Sequence, residues 1–400
     1  MDVLLTDEIR ALRESFIKFM RAAIVPEMPA YEKAEKFPHP LVLKTGEAGF
    51  YGALFPEALG GSDLGFLATA VICEEIARLE PDFALTFNQQ GMSCPYSILI
   101  GGTKEQCRKY IPDLISGKAI GLWSLTEAGG SSDAAGNMKT LAVRDGNVYR
   151  LKGAKMFASL ADATDTGVLF AKTDMKAGVK GITAFIVEPK KYPGWTAKPI
   201  EFVGLSRSIH ACEVYLDDFV VPVENRLGAE GEGFRIAMHS VQAGRIAVGA
   251  RAIGYARACV DQAIEYAKSR MVRGSPLATY QMVQADIADV VTQIEAARGF
   301  VYAAAISMDR DLPSNRLASQ AKYAAGLALN MAAKKSAEIF GGYALAKDYP
   351  ISRLQSYAYL YQVGEGSPNV QRILIAEDAL GIKNADRHPT KYRHPNPNFK

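Results

Sequence analysis

Apolar side chains recur every three or four positions toward both ends of the chain and break into short strand-like runs between them. Near the start, Ile9, Leu12, Phe16, Phe19 and Ala23 keep helical spacing. Thr6-Asp7-Glu8 supplies a cap and first-turn acids, and Pro26 stops the run. A Pro/Gly-rich link from Phe55-Pro56 to Gly60-Gly61 precedes a helix predicted around 68–79, with others near 83–88 and 104–114 and Gly117 after the last. From 120 to about 227 the pattern changes to strands. Thr140 to Arg144, a turn at Asp145-Gly146-Asn147, and Val148 to Leu151 read as a hairpin whose turn demands its glycine. Further strands are predicted at 168–171, 182–187 and 213–216, with a turn at Tyr192-Pro193-Gly194, which argues for a compact β sandwich or barrel. Beyond Gly233 long helices return over 234–270, 281–309 and 314–340. A last pair flanks Glu365, enough for a four-helix-type bundle. The expectation is an α+β chain: an N-terminal helical domain (1–119), a central β domain (120–232) and a C-terminal helical bundle (233–400), its charged, Pro-rich tail after Asp386 loosely held.

The last helix pair carries the first candidate chemistry. Ile351, Leu354, Ala358 and Tyr361 line one helix face, and Ser367-Pro368 makes a helix start in which Ser367 can cap. Between them stands Glu365 with Gly364 and Gly366 on either side. A glycine-flanked acid at a helix break can be approached closely; it can equally be a solvated surface turn. A second cluster, Trp123 to Asp133, holds Gly129-Gly130 followed by Ser131-Ser132. Such a backbone can approach a flat or phosphorylated ligand, or simply form a bulge and turn.

Composition narrows the choice of class. With 400 residues, 48% hydrophobic and 22% charged, the chain is an ordinary globular one, and its net charge of +3 predicts no attraction to nucleic acid or membrane. Five scattered cysteines, never in a Cys-x-x-Cys pair, suit a reducing cytosol and free buried thiols better than disulfides or zinc. The N-terminus leads into an acidic helix start rather than a signal segment, and no apolar run approaches membrane-spanning length. A cytoplasmic protein is expected.

Taken in order, these motifs resemble the acyl-CoA dehydrogenase family over about residues 5–385. Thr126-Glu127 through Ser132-Asp133 resembles its Thr-Glu-Pro-x-Ala-Gly-Ser-Asp flavin signature, and Lys152 through Ser159 its Gly-x-Lys-x-Trp-Ile-Thr strand. Ile339-Phe340-Gly341-Gly342 resembles the Leu-Gly-Gly turn that reaches a neighbouring subunit's flavin, and Tyr361 through Ser367 the segment of the catalytic glutamate. No Gly-x-Gly-x-x-Gly fingerprint occurs, consistent with flavin bound outside a Rossmann fold.

The resemblance implies FAD-dependent α,β-dehydrogenation of an acyl-CoA thioester, electrons leaving to electron-transfer flavoprotein, and a homotetramer. It implies Glu365 as catalytic base. FAD contacts would come from Trp123, Leu125, Thr126, Ser131, Ser132, Phe157, Ser159, Arg270, Gln281, Glu338, Gly341, Gly342, Ser367 and Asn369. Substrate contacts would come from Ser132, Gln242, Arg245, Gly364 and Gly366. Members that place the base elsewhere put it just before the arginine matching Arg245, where this chain has Gly244. Residue by residue, Arg245 can equally be a helix-surface arginine, Arg270 a member of a surface ion pair and Gln281 an ordinary surface side chain. His210 and His239 are read as structural.

Departures from the family pattern bear on substrate. Ala128 and Phe157 replace a proline and a tryptophan, Glu338 a glutamine, Ser356-Tyr357 an Arg-Asp pair, Ile209-His210-Ala211 a Ser-Asp-Thr, and Arg273 a phenylalanine. Gly364 replaces an aromatic, which should widen the pocket for a branched, cyclic or aryl-bearing acyl group, benzylsuccinyl-CoA among the candidates. Phe83-Ala84-Leu85 lies where glutaryl-CoA dehydrogenases carry a carboxylate-binding arginine, which argues against a glutaryl substrate, although the segment from Glu365 to Ile382 is similar to the anaerobic glutaryl-type branch. The alternatives are an enoyl-CoA reductase or flavin oxidase on the same fold, or a non-catalytic scaffold.

Overall fold

Thr6 opens the first helix as its hydroxyl allows, accepting the backbone N–H of Ile9 at 3.3 Å, and α1 runs Asp7–Phe19. A π-helical turn, Met20–Ile24, carries it on toward Pro26. The computed structural model describes residues 1–381, so the expected loose tail lies outside the described residues. The N-terminal part continues through α2 (Met28–Ala34), α3 (His39–Glu47), α4 (Gly65–Leu79), α5 (Ala84–Gly91), α6 (Ser93–Gly101) and α7 (Lys104–Ile115). Three of these, α2, α3 and α6, lie where apolar spacing predicts no helix. Pro29, Pro40 and Pro95 interrupt the pattern, yet each sits in a first turn, where a missing N–H breaks no bond.

The central strands are β1 (Gly121–Ser124), β2 (Leu141–Asp145), β3 (Val148–Ser159), β4 (Thr166–Lys172), β5 (Ile182–Val187), β6 (Trp195–Pro199), β7 (Ala211–Pro222) and β8 (Arg226–Leu227). They bond in the order β6-β7-β3-β2-β4-β5-β8, with β1 parallel to β4. The predicted hairpin is present: Asp145 pairs with Val148, and Gly146 takes φ +59° in the turn. β2 meets β4 at Leu141 and Lys172 alone, so the sheet folds into two halves around a shared core. Tyr149 of β3 there meets Phe185 of β5 edge-on at 4.9 Å. This is the sandwich that the short strands imply.

The C-terminal part holds α8 (Gly233–Ser269), a small hairpin of β9 (Met271–Val272) and β10 (Ser275–Pro276), then α9 (Gln281–Asp309), α10 (Asn315–Phe340), α11 (Ile351–Val363) and α12 (Pro368–Leu380). α8 is the central element, packed against α4 and α10. Polar links tie the N-terminal helices to the bundle. Glu74 of α4 accepts from Arg298 and Tyr302 of α9, each at 2.9 Å, and pairs with Arg257 of α8. Asp309, at the end of α9, accepts the N–H groups of Phe66 (2.6 Å) and Leu67 (3.1 Å) at the start of α4. A second cluster joins all three parts: Arg353 and Tyr357 of α11 both bond to Asp82, and Tyr357 Oη accepts the N–H of Ser206 at 3.1 Å. Glu32 of α2 accepts the N–H groups of Arg207 (3.0 Å) and Ser208 (3.2 Å).

All five cysteines are buried, free thiols, as expected. Among the described residues no helix is long and apolar enough to cross a membrane.

Candidate active site

Between α11 and α12 the chain turns through a strained segment. Glu365 takes φ +51°, unfavourable for a residue with a Cβ, and Gly366 takes φ +100°. The turn is gripped from neighbouring helices. Lys322 of α10, itself buried, donates through Nζ to the carbonyls of Gln362 (2.6 Å) and Gly366 (2.7 Å). Gln371 of α12, fully buried, donates through Nε2 to the carbonyls of Gly366 (3.2 Å) and Glu365 (3.4 Å). The hydroxyl of Ser367 does not cap α12, contrary to expectation, because the approach through Gly366 is fixed by these outside donors.

The Glu365 carboxylate points inward, which removes the solvated-turn alternative. Oε1 accepts from Asn88 Nδ2 of α5 at 2.8 Å, while Oε2 is sealed from solvent with no hydrogen-bond partner. Burial pushes the carboxyl above the ordinary range. Arg251, the Asn88 hydrogen bond, Arg245 and Lys322 pull it down without cancelling that effect. One anchored oxygen, one unengaged oxygen and a raised proton affinity equip the group to take a proton from a weak carbon acid set against Oε2. Gly244 of α8 faces the same oxygen: a Cβ there would stand 2.2 Å from it. Position 244, from which other members of the resembled family supply the base, thus points at the same spot.

Arg245 is not a surface residue. It is buried beside Glu365; Nη1 donates to Asn315 Oδ1 at 3.4 Å, and Nε is sealed without a partner. Burial lowers its pKa to about 10 against the pull of Glu365. Arg251, further along α8 by about one and two-thirds helical turns, donates to Ala84 O (3.3 Å) and Asn88 Oδ1 (3.0 Å), and lies over the Tyr361 ring. Gln242 is buried and donates to Ser314 Oγ at 2.7 Å. At Gly364 a Cβ would meet Leu360 O at 3.1 Å and nothing else within 4 Å, so the position opens space.

The second predicted cluster is also assembled. Thr126 O accepts the N–H of Met156 at 2.9 Å, and Leu125 O accepts from Lys155 Nζ at 3.2 Å. Glu127 forms a buried ion pair with Lys155 at 2.9 Å and accepts the N–H groups of Lys139 (2.7 Å) and Thr140 (3.0 Å). Burial lowers Lys155 to about 8, and Glu127 opposes the fall. These bonds pin the Gly129-Gly130 loop to β3. The β3–β7 register breaks between Lys155 and Ala158, and Phe157 there takes φ +57° with its side chain 57% exposed. Trp123 is half-buried and donates to Ser97 Oγ at 3.0 Å; Ser159 is half-buried at the end of β3. Ser131 opens a 3-10 turn, Ser131–Asp133, in which Ser132 is exposed. An outward ring on a bulge, beside a loop where a Cβ on Gly129 would touch nothing, suits a flat ring system with polar edges.

Arg270, Gly341 and Gly342 converge elsewhere, around a cavity of about 500 Å³ also lined by Tyr266, Phe340 and Tyr343. The Arg270 guanidinium lies over Tyr343 at 5.7 Å. Glu338 stands outside that lining, paired with Lys335 at 3.3 Å. Gln281 and Asn369 are exposed, and Ser367 is half-buried. His210 is held between Asp162 (2.6 Å) and Arg207 O (2.9 Å). Sequence reasoning misses Asn88, Arg251, Lys322, Gln371 and the Lys155–Glu127 pair. Lys322 and Arg251 were findable in principle as charged residues amid the alanines and glycines of a buried helix.

Comparison with known proteins agrees with this geometry. Three family models match in succession: acyl-CoA dehydrogenase N-terminal domain over residues 6–118, middle domain over 123–219 and C-terminal domain over 231–380. A glutaryl-CoA dehydrogenase of Desulfococcus multivorans is 35% identical over 391 residues, covering 97% of this chain and 100% of that protein. The caffeyl-CoA reductase-Etf complex subunit CarC of Acetobacterium woodii is 35% identical over 369 residues, covering 92% and 96%. A solved glutaryl-coenzyme A dehydrogenase in complex with glutaryl-CoA superposes with a TM-score of 0.92 at 35% identity, covering 96% of this chain and 98% of that one. With its helical, β and helical parts each matched in order, the chain belongs to the acyl-CoA dehydrogenase family, FAD-dependent oxidoreductases acting on CH–CH bonds.

Proposed function

We propose that Glu365 removes the proton beside a thioester carbonyl in the conversion of an acyl-CoA to its trans-2-enoyl-CoA. The observation that carries this reading is the sealed, unpartnered Oε2 of a carboxylate whose pKa is raised by burial. Lys322 and Gln371 hold the turn, and Asn88 holds Oε1, so the free oxygen has little freedom to wander. The backbone N–H of Glu365 is the chain's own donor for the thioester oxygen as negative charge grows there. FAD, when bound, accepts the hydride from the adjacent carbon. Trp123, Leu125, Thr126, Ser131, Ser132, Phe157 and Ser159 would hold it on the central β part. Arg270, Gln281, Glu338, Gly341, Gly342, Ser367 and Asn369 would complete the contacts, some across subunits of a homotetramer.

Ser132, Gln242 and Arg245 would receive the CoA thioester. The room at Gly364 favours a branched, cyclic or aryl-bearing acyl group, with Gly366 beside it in the turn that would meet the thioester. Electron-transfer flavoprotein is the proposed acceptor, supported by the likeness to the Acetobacterium subunit, whose name places it in an Etf complex. That same relative is a reductase, so the reverse reaction, enoyl-CoA reduction, is the second reading. Glu365→Gln should retain FAD yet lose flavin bleaching by acyl-CoA; bleaching at the parent rate would refute the assignment. A panel of linear, branched, alicyclic and aryl acyl-CoAs, scored by the same bleaching, tests the acyl class.

A further inference from the structure

Charge around the base does not balance. Arg245, Arg251 and Lys322 are all buried, and all three act on Glu365. The other ionisable groups acting on Arg251 are Cys73, Tyr255 and Tyr361. Burial raises the pKa of each, so all three stay neutral at physiological pH. Lys322 has a task, gripping two carbonyls of the turn. Two guanidiniums then share one carboxylate, and neither forms an ion pair within 4.0 Å among the described residues. Their partners are neutral: Ala84 O and Asn88 Oδ1 for Arg251, Asn315 Oδ1 for Arg245. Both Nε atoms are sealed and without partners. An uncompensated buried cation is strongly destabilising, and such a group is the natural seat of an anion that arrives with a ligand.

Asn88 fixes where that anion would sit. Its amide spans the two charges, accepting from Arg251 Nη2 at 3.0 Å and donating to Glu365 Oε1 at 2.8 Å. The guanidinium is therefore two hydrogen bonds from the base, a separation that a short acyl chain bridges. We propose that the acyl group carries a second carboxylate, seated against Arg251, so that the substrate is the CoA monothioester of a short dicarboxylic acid. This rests on the dehydrogenation proposed above and names its substrate class. The Arg251 guanidinium also reaches α5, where it donates to the Ala84 carbonyl, so a carboxylate seated against it would lie between α5 and α8. A linked effect follows. Vacant, Arg251 pulls the Glu365 carboxyl down; a substrate carboxylate screens that pull, so the base strengthens as the right substrate enters.

The test is equilibrium binding by titration calorimetry to FAD-loaded Glu365→Gln protein, in which no turnover intrudes. The probes are succinyl-, glutaryl- and benzylsuccinyl-CoA against butyryl- and 4-phenylbutyryl-CoA. At least one dicarboxylic thioester should bind about ten- to a hundredfold more tightly than the monocarboxylic ones. Arg251→Met should erase that preference and Arg251→Lys should keep part of it. Equal binding of the two sets, or a preference that survives Arg251→Met, overturns the inference. If Arg251→Met does not fold, the ratio in the Glu365→Gln protein decides alone. Flavin bleaching with Glu365 intact is scored separately. Bleaching by butyryl-CoA without a dicarboxylic preference sinks only this inference; a dicarboxylic preference with no bleaching by any probe supports it and sinks the dehydrogenation.

Discussion

Gly244→Ala should slow the reaction without weakening the fold. The added Cβ would lie 2.2 Å from Glu365 Oε2 and 3.0 Å from its carboxyl carbon, where ordinary contact begins at 3.4 Å. From 2.2 to 3.4 Å the carboxylate must retreat by roughly 1.2 Å. Asn88 holds the other oxygen at 2.8 Å, so the retreat breaks that bond or swings the group about it. A misplacement of about 1 Å costs on the order of a hundredfold in rate, or about 2.7 kcal/mol of barrier. Stability should move little or rise, since the clash is with the end of a flexible side chain and alanine is better than glycine inside a helix by up to about 1 kcal/mol. Anaerobic stopped-flow bleaching of the flavin measures the rate, and calorimetry the Tm. Bleaching within about threefold of the parent would refute the placement of Oε2 against the substrate. A rate loss accompanied by a Tm several degrees lower would refute the claim that the effect is local.

Four further outcomes rest on the buried charges of the two clusters. The bleaching rate should fall as pH drops through the raised pKa of Glu365, with a midpoint above the ~4.3 of a free glutamate. Because the folded pKa is the higher one, this group favours folding at low pH and loses that contribution as pH rises through it; Glu365→Gln should flatten that part of a Tm-against-pH curve. Lys155→Met leaves the buried Glu127 carboxylate without its cation, which should cost about 3–5 kcal/mol by denaturant unfolding, most of it recovered in Lys155→Met with Glu127→Gln. Lys322→Met strips donors from two carbonyls of the Glu365 turn, each loss worth about 1–3 kcal/mol, and should lower turnover more than it raises KM.

Much of the architecture was legible because long helices and short strands differ in apolar spacing. α8, α9 and α10 start and end within a residue or so of the predicted spans. The misses have local causes. α2, α3 and α6 are short and carry prolines in their first turns, so periodicity had too few repeats to register. At the site, Glu365 was findable from its flanking glycines, and Lys322 only as a charge out of place in a buried helix, with nothing to tie it to the turn. Asn88 and Gln371 carry no motif, and only folding brings them within reach of Glu365 and Gly366. The Ser367 cap failed for the same reason: a hydroxyl at a helix start is a local cue, and distant donors overrode it.

Where Tyr357 and Arg353 meet Asp82, with Ser206 to Ser208 and Glu32 alongside, the N-terminal helices, the β region and the final helices are knotted at one point. Parts fastened in this way swing apart only by breaking those bonds. Ligand exchange must then proceed by small rearrangements at the mouth of the cleft rather than by jaws that open, and a melting scan should show a single endotherm instead of three.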